Sequence, residues 1–430
     1  MIKDDKPLID LRFPKGKNNV SHETDLPENS ARELLNVDIT NSGEPSRRKG
    51  YTSVYDSGGE TVHSLFTAGQ LTVFMQGQAL KQLHPDFTAT NIRTGLDPDN
   101  PISYAEINKL IYYSNGDNSG IIDSDGAHAD WGVDAPLGQP LLMQIAGSLD
   151  EGEYQVAVTY LNPFGEESGS ILAMPITVPA GGGIQLMNIP QSTASSVNVY
   201  VSTAGGDQLY WQANIPMGET TYSFTSLKQG RKLETQFLER MPAGHIVRYG
   251  HGRLWVARGN LLIFSPALRY GLYDPRFTYF QFPADIDIVQ PVEDGVYVTA
   301  DKTYFLAGTN PAEMKQDVVY PYPGVRGTGM EVPHTKFIAE NDLISDSAKE
   351  DVAFWYSTKG AVLGYPNGNV HPITEDRVAI SEYGKGASLL REEDGIRQLV
   401  TSLTDKGDQT GFGVTDYATA EVRRNGVLIN

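Results

Sequence analysis

Residues 250–265 read GHGRLWVARGNLLIFS, and this stretch decides the fold class. Two strand-sized apolar runs, 254–257 and 261–264, are separated by Arg258 and the turn-forming pair Gly259 and Asn260. Short apolar runs on either side of a pair of turn-forming residues predict an antiparallel β-hairpin.

Similar hairpin-like units recur along the chain. They lie at 62–83, 102–122, 295–308, 354–364 and 396–403. The successive starts are mostly roughly 40–60 residues apart, which is the spacing of propeller blades and not of solenoid repeats. Long amphipathic helical patterns are missing, and 44 glycines and 25 prolines punctuate the chain throughout. The sequence therefore predicts an all-β protein based on a β-propeller.

The block 139–235 follows a different pattern. Strands are expected at 153–160, 184–189, 196–202 and 222–224. Its length and strand spacing resemble a fibronectin type III or immunoglobulin-like β-sandwich. The alternative is that the block is not a separate domain and only adds three more strands to the main fold. The expected order is an N-terminal arm with a short helix at 1–50, the first part of the propeller at 51–138, the inserted sandwich at 139–235, and the remaining propeller at 236–430.

Helix signals are few. Ser30 and Glu33 have the spacing of a capping box, which predicts one or two helical turns. Pro311, directly after Asn310, marks a second possible helix start. About the first 30 residues are polar and weakly patterned, so we expect an arm that folds on a neighbouring subunit.

Composition excludes several classes of protein. The formal net charge is −19, whereas a protein that grips phosphates normally presents a basic face. The acidity is explained either by solubility or by a surface past which DNA slides without sticking. The chain has no cysteine, which excludes disulfides and thiolate sites and fits synthesis in a reducing cytoplasm. We expect neither a signal peptide nor a membrane span, because no apolar run approaches ~20 residues.

No motif identifies a reaction. The chain lacks a G-x-S-x-G elbow, a phosphate loop and an H-E-x-x-H motif, so no catalytic residue, cofactor or metal is predicted. The oxygen-rich stretches 115–120 and 123–126 suit either calcium or ordinary polar turns. His245 and His251 could have a metal-binding or catalytic role. The alternative is that they are ordinary residues of turns and strand edges. The basic cluster 47–49 could contact DNA or an acidic neighbour, or it could be a solvated face or a subunit contact.

Four stretches, taken in order, resemble the packaged-DNA stabilisation and tail-nozzle proteins of short-tailed bacteriophages. They are NVDITNSGEPSRRKGY at 36–51, followed by 252–265, 295–308 and 355–360. The residues that carry the resemblance are Asn36, Arg47, Arg48, Gly50, Gly252, Arg253, Trp255, Ser265, Gly295, Thr303, Gly308, Trp355 and Gly360. Lys49 stands where the family often has proline, and the inserted sandwich is not universal in it.

The resemblance implies a non-enzymatic structural protein of the virion tail, made in the host cytoplasm. It implies a homo-oligomeric ring, often a hexamer, that contacts the portal, the adaptor and other tail proteins but no membrane. Such a ring extends the DNA channel, passes double-stranded DNA without reading its sequence, and helps to retain packaged DNA. A receptor- or glycan-binding propeller of a tail tip or fibre is the alternative, and a propeller glycosidase is the third hypothesis.

Overall fold

The computed structural model describes residues 12–34, 36–40, 43–50, 52–333, 351–378, 383–393, 396–405, 417–423 and 426–429. These residues form 35 β-strands and a single 3-10 helix, Glu23–Asp25. No helix in this part of the chain has the length and hydropathy needed to cross a membrane. The chain divides into two compact units, Ser57–Gln281 and the combination of Met1–Asp56 with Phe282–Asn430.

The strands follow one another along the chain in three groups. The first group is β1 Val37–Ile39, β2 Pro45–Arg47, β3 Val62–Ala68, β4 Leu71–Gln76, β5 Ala79–Leu83, β6 Ala89–Thr94, β7 Ser103–Ile107, β8 Leu110–Ser114, β9 Ser119–Ile122 and β10 His128–Ala129. The second group is β11 Leu141–Leu149, β12 Gly152–Leu161, β13 Met174–Val178, β14 Gly182–Met187, β15 Ser196–Val201, β16 Tyr210–Pro216 and β17 Tyr222–Phe224. The third group is β18 Glu239–Arg240, β19 Ile246–Gly250, β20 Arg253–Arg258, β21 Leu261–Phe264, β22 Leu272–Tyr273, β23 Tyr279–Gln281, β24 Ile288–Val292, β25 Gly295–Thr299, β26 Thr303–Ala307, β27 Lys315–Tyr320, β28 Met330–Val332, β29 Val352–Ser357, β30 Gly360–Gly364, β31 Val370–Pro372, β32 Tyr383–Glu393, β33 Ile396–Asp405, β34 Tyr417–Arg423 and β35 Gly426–Ile429.

The unit Ser57–Gln281 contains three four-stranded antiparallel meanders. Blade 1 is β3-β4-β5-β6, blade 2 is β7-β8-β9-β10, and blade 3 is β19-β20-β21-β23. The first strands of blades 2 and 3 lie next to each other. The Ser103 hydroxyl accepts a hydrogen bond from the Val247 N–H at 2.9 Å and donates one to the Val247 carbonyl at 3.2 Å. Four-stranded sheets placed side by side in this way are the blades of a propeller.

Inner strands of the blades are apolar on both faces. Successive side chains of a strand point to opposite faces. In β8, Ile111 and Tyr113 accordingly pack with Val73 of blade 1, whereas Tyr112 joins a cluster that includes Leu254 of blade 3. Burial on both faces explains why these strands are continuous apolar runs in the sequence, without polar alternation.

The insert 141–224 is a sandwich of two antiparallel sheets. One sheet has the order β11-β14-β17, and the other has the order β13-β12-β15-β16. Alternate residues of β12, β14 and β15 face inward between the two sheets. The fully buried core members on these three strands are Val156, Val158, Ile184, Leu186, Val197 and Val199. Three strands against four is the architecture of a fibronectin type III or immunoglobulin-like sandwich.

The other unit also contains three four-stranded meanders. Blade 4 is β24-β25-β26-β27, blade 5 is β28-β29-β30-β31, and blade 6 is β32-β33-β34-β35, while β1 and β2 form a separate hairpin. Tyr297 of blade 4 packs on Trp355 of blade 5, with ring centroids 5.3 Å apart. The fold is thus an all-β propeller with an inserted sandwich, and the predicted fold class is confirmed.

Both helix predictions are wrong. Residues 30–34 form no helix, because the Ala31 carbonyl accepts a hydrogen bond from the Asn18 N–H and Ala31 bridges Lys17. These tertiary bonds occupy backbone groups that a helix would have used. At the second position, Glu313 N–H donates to the Asn310 carbonyl in a single turn that leads into β27. The arm prediction stays untested for residues 1–11, which lie outside the described residues.

Candidate functional site

The β12–β13 loop, residues 162–168, is where the sandwich contacts the propeller blades. The Asn162 side-chain oxygen accepts hydrogen bonds from the N–H groups of Phe164, at 3.0 Å, and Glu166, at 2.9 Å. Gly165 has φ +80°, a conformation in which a Cβ is strained. The resulting Asx turn projects Phe164 and Glu166 away from the sandwich.

Phe164 is the apolar half of this contact. It packs against the cluster that fills the space between blades 2 and 3. Ile107 and Tyr112 come from blade 2, and Val247 and Leu254 come from blade 3. One loop residue of the insert therefore contributes to the interface between two blades.

Glu166 is the polar half. Its Oε2 accepts from the Gly132 N–H and from the Asn162 amide, both at 2.9 Å, and its Oε1 accepts from the Tyr112 hydroxyl at 3.3 Å. Burial raises the pKa of Glu166, although these donors and the charge of Arg240 act in the opposite direction. The raised pKa means that burial outweighs the stabilisation of the anion.

The two chain segments that enter and leave the insert are also fixed to the blades. The Trp131 indole N–H donates to the Tyr270 carbonyl at 2.9 Å. Arg240, on the exit side, donates from Nε to the Trp131 carbonyl at 2.9 Å and pairs with Asp134 at 3.3 Å. The loop, the entry segment and the exit segment together form what we call the joint: Trp131, Gly132, Asn162, Phe164, Glu166 and Arg240.

Glu167, the next residue, binds the sandwich itself. Its Oε1 accepts from the hydroxyls of Thr159 and Tyr200, at 2.6 and 2.7 Å, and from the Asn198 amide at 2.9 Å. Arg231 donates to Oε2 at 3.0 Å. This carboxylate anchors the loop to β12 and β15, while its neighbour Glu166 anchors the same loop to the blades.

The first predicted motif lies on the hairpin β1–β2. Asn36 has φ +55°, and its carbonyl accepts from the Arg48 N–H at 3.2 Å. The Arg48 Nε lies 3.0 Å from the Asp38 carboxylate. Arg47 is exposed, and a Cβ on Gly50 would meet no atom within 4 Å. The basic cluster 47–49 is therefore partly neutralised by an acidic side chain of its own hairpin.

The second motif builds blade 3. His251 and Gly252 both have positive φ, as a two-residue hairpin turn between β19 and β20 requires. Trp255 is fully buried and donates to the Gly250 carbonyl at 3.1 Å. Arg253 donates to the Ser265 carbonyl at 3.0 Å, and the Ser265 hydroxyl accepts from the Leu254 N–H.

The third and fourth motifs build blades 4 and 5. A Cβ on Gly295 would lie 2.3 Å from the Leu306 carbonyl oxygen, so the two strands approach closely there. The buried Thr303 hydroxyl donates to the Tyr322 carbonyl at 2.9 Å. Gly308 and Gly360 have φ of +112° and +110°, and Trp355 is fully buried. The structure places these residues in separate hairpins and does not bring them into one site.

The remaining candidates form ordinary turns. Asn115 Oδ1 accepts from the N–H groups of Asp117 and Asn118, and Asp123 Oδ1 accepts from those of Asp125 and Ala127. These are Asx turns whose oxygens already have partners. His245 and His251 flank opposite ends of β19. No group of three or more potential metal ligands occurs among the residues that the structure describes.

One carboxylate pair bears on the hydrolase hypothesis. Burial raises the pKa of Glu331, and the charge of Asp351 and a hydrogen bond to it raise it further. Glu331 lies in β28 and Asp351 directly precedes β29, and each is next to one of the paired residues Val332 and Val352. A glycosidase holds its two carboxyl groups about 5–9.5 Å apart on either side of the scissile bond, so a directly hydrogen-bonded pair at a strand edge does not have the arrangement that such an enzyme needs.

The sequence alone did not reveal the joint, because the residues that meet there are far apart in the chain. Tyr112 and Glu166 are separated by 54 positions. The available signal was the turn 162–168, in which Phe164 and two glutamates lie beside a proline and a glycine directly after a strand.

Comparison with known proteins gives distant structural likenesses. No protein-family model and no curated protein matches the sequence. The WD40 domain of Pan2 from Neurospora crassa aligns with a TM-score of 0.32 at 9% identity, covering 81% of this chain and 87% of that one. BBS1N, solved in complex with ARL6DN, aligns at 0.30 and 11%, covering 85% and 90%. Hsv2 of Kluyveromyces lactis aligns at 0.29 and 8%, covering 84% and 93%. Likenesses this distant assign neither a family nor a function.

Proposed function

We propose that this chain is a non-enzymatic structural protein of a bacteriophage tail, a nozzle or hub subunit that extends the DNA channel. The observation that carries the proposal is the order of the four phage-like stretches. The last three occupy the second and third strands of blades 3, 4 and 5, and the first occupies the hairpin β1–β2. The resemblance thus recurs at equivalent positions of successive blades.

The joint supports a structural role. It fixes the insert through an apolar contact at Phe164, a buried carboxylate at Glu166 and both connecting segments. A subunit of a ring must hold its domains in position while neighbours contact them, whereas a domain on a flexible linker would not. The proposed neighbours are other copies of the chain, the portal and adaptor, and other tail proteins.

The net charge of −19 suits the proposed channel role. DNA phosphates are repelled by acidic surfaces, so DNA passing such a subunit would not adhere to it. We propose passage of double-stranded DNA without sequence-specific binding and location in the virion tail.

Production of phage particles without this chain tests the proposal. The expected result is heads that package DNA but lose it, with tails shortened at the distal end, and rescue when the wild-type chain is supplied from a plasmid. Particles with complete tails that retain their DNA would contradict the proposal.

A receptor- or glycan-binding propeller is the second candidate, favoured by exposed aromatic side chains in blade 3. Phe277 is 73% exposed, Tyr279 45% and Tyr249 42%. Exposed aromatic rings are common contacts for sugars and proteins. If they bind a receptor, Phe277→Ala lowers adsorption of particles to host cells, and unchanged adsorption together with an intact tail rejects this candidate.

A further inference from the structure

The sheet β11-β14-β17 of the sandwich carries no charged side chain. None of its three strands, Leu141–Leu149, Gly182–Met187 and Tyr222–Phe224, contains Asp, Glu, Lys, Arg or His. Every other sheet in the described part of the chain contains at least one of these residues. The net charge of the chain is −19, so an uncharged sheet differs from the rest of the protein in its electrostatics.

The outer face of this sheet is largely apolar. Leu142 and Leu186 are paired across the strands and point into the sandwich core, so the alternate residues point outward. The outward side chains, which we call the charge-free face, are Leu141, Met143, Ile145, Gln185, Met187 and Ser223. Leu141 is 56% exposed and Met143 is 43% exposed. An apolar sheet face left open to water is typical of an interaction surface.

The charge of the chain restricts what covers this face. A charged group buried against the face would lose its hydration without gaining a counter-ion, so the occupant must itself be uncharged there. Two copies of a chain with net charge −19 repel each other over most of their surfaces, and contact through an uncharged face brings the fewest like charges together. Among the sheets of the described residues, only β11-β14-β17 is uncharged. The surface of this chain that can cover the charge-free face is therefore the same face of a second copy.

We propose that two copies of this chain pair through the charge-free face, sheet against sheet, in an isologous interface. Leu141 and Met143 of each copy then pack against the apolar side chains of the other. The inference goes beyond the proposed function and does not rest on it, because pairing is a property of the purified chain whatever particle it belongs to.

Sedimentation velocity on the purified full chain tests the pairing. The wild-type chain is expected to show a concentration-dependent dimer. Because screening reduces the repulsion between the acidic copies without weakening apolar contact, higher salt is expected to lower the dissociation constant. The double variant Leu141→Glu with Met143→Glu is expected to raise that constant on the order of 100-fold, through unpaired and like charges at the contact.

Val318→Glu is the matched control. Val318 lies on a strand outside the sandwich and is 56% exposed, the same fraction as Leu141. This variant is expected to dimerise like the wild type. A wild-type chain that stays monomeric in both low and high salt overturns the proposal, as does a double variant that pairs as tightly as the wild type.

Site-specific cross-linking tests the face-to-face geometry. The chain has no cysteine, so Met143→Cys introduces a single thiol. A short bismaleimide is expected to join two Met143→Cys chains and to leave Val318→Cys chains unjoined. A dimer that the reagent does not join through position 143 overturns the isologous pairing. None of these outcomes bears on whether the chain is part of a phage tail, which depletion of the chain from particles decides separately.

Discussion

The Tyr112 hydroxyl lies 3.3 Å from a carboxylate oxygen of Glu166 and donates a hydrogen bond to it. Tyr112 belongs to blade 2 and Glu166 to the β12–β13 loop of the insert, so this bond links the two parts of the unit Ser57–Gln281. The ring of Tyr112 also meets Trp131 edge-on, with centroids 5.6 Å apart. The same tyrosine thus contacts both the loop and the entry segment of the insert.

Phe164→Ala is expected to loosen the joint. Phe164 is partly buried among the side chains between blades 2 and 3, and its removal leaves a cavity there. The expected loss of unfolding free energy is roughly 2–3 kcal/mol, below the cost of a fully buried phenylalanine. Urea unfolding measures it. Phe277→Ala, at a position 73% exposed, is the control and should change stability little; equal losses for the two variants would contradict the role of Phe164.

Glu166 is expected to make stability depend on pH. Burial raises its folded-state pKa above 4.5, so the folded chain holds this proton more tightly than the unfolded chain. The resulting stabilisation is fully present below about pH 4.5 and is lost as the pH rises through the folded pKa. The unfolding free energy of the wild type, relative to that of Glu166→Gln, should therefore fall as the pH rises above about 4.5.

The control for this pH dependence is Glu219→Gln, at an exposed glutamate of the sandwich. Its difference from the wild type should stay nearly constant over the same range. A difference for Glu166→Gln that is also constant, or that grows with pH, would show that burial does not govern this carboxylate.

Glu167→Ala is expected to destabilise the sandwich strongly. It leaves the Thr159 and Tyr200 hydroxyls and the Asn198 amide, all on buried residues, without their acceptor. Each unsatisfied group costs about 1–3 kcal/mol, so a total loss of at least roughly 3 kcal/mol is expected in thermal or urea unfolding. Arg231→Ala removes only a side chain that is 62% exposed and should cost less than about 1 kcal/mol. Similar costs for both variants would mean that the buried donors find other partners.

Gly360→Ala is expected to disrupt the β29–β30 hairpin. Gly360 has φ +110°, and a Cβ there would lie 1.9 Å from the Thr374 hydroxyl oxygen. Gly50→Ala is the matched control, because Gly50 has no atom within 4 Å of the added Cβ and its φ is not positive. A loss of roughly 2–4 kcal/mol is expected for the first variant, with little change for the second. Equal melting temperatures for Gly360→Ala and Gly50→Ala would show that the backbone conformation at position 360 does not require glycine.

The paired hairpins could be predicted from the sequence because both of their strands are apolar and adjacent. The runs 71–75 and 79–83 became β4 and β5, and 109–114 with 120–122 became β8 and β9. Outer strands such as β6 and β23 were not identified, since they are partly exposed and show no apolar alternation. The capping box at Ser30 was misleading, because tertiary backbone bonds outweigh local helix signals in so short a segment.

The joint and the charge-free face could not be predicted in the same way. The contact of Glu166 with Gly132 depends on two blades and an insert meeting in space, which no local pattern encodes. β11, which supplies Leu141 and Met143 to the charge-free face, was not predicted as a strand at all. Its apolar residues occupy both faces, so the expected alternation of inward apolar and outward polar residues is absent.

Quantitative mass spectrometry of gradient-purified phage particles from the source tests whether this chain is a ring subunit of the tail. The number of copies of this chain is measured against the portal protein in the same particles. About six copies per particle are expected if the chain forms one symmetric ring on the tail axis. Absence of the chain from the particles would contradict the structural role, and three copies or many more than six would contradict the ring and favour a fibre or receptor-binding protein.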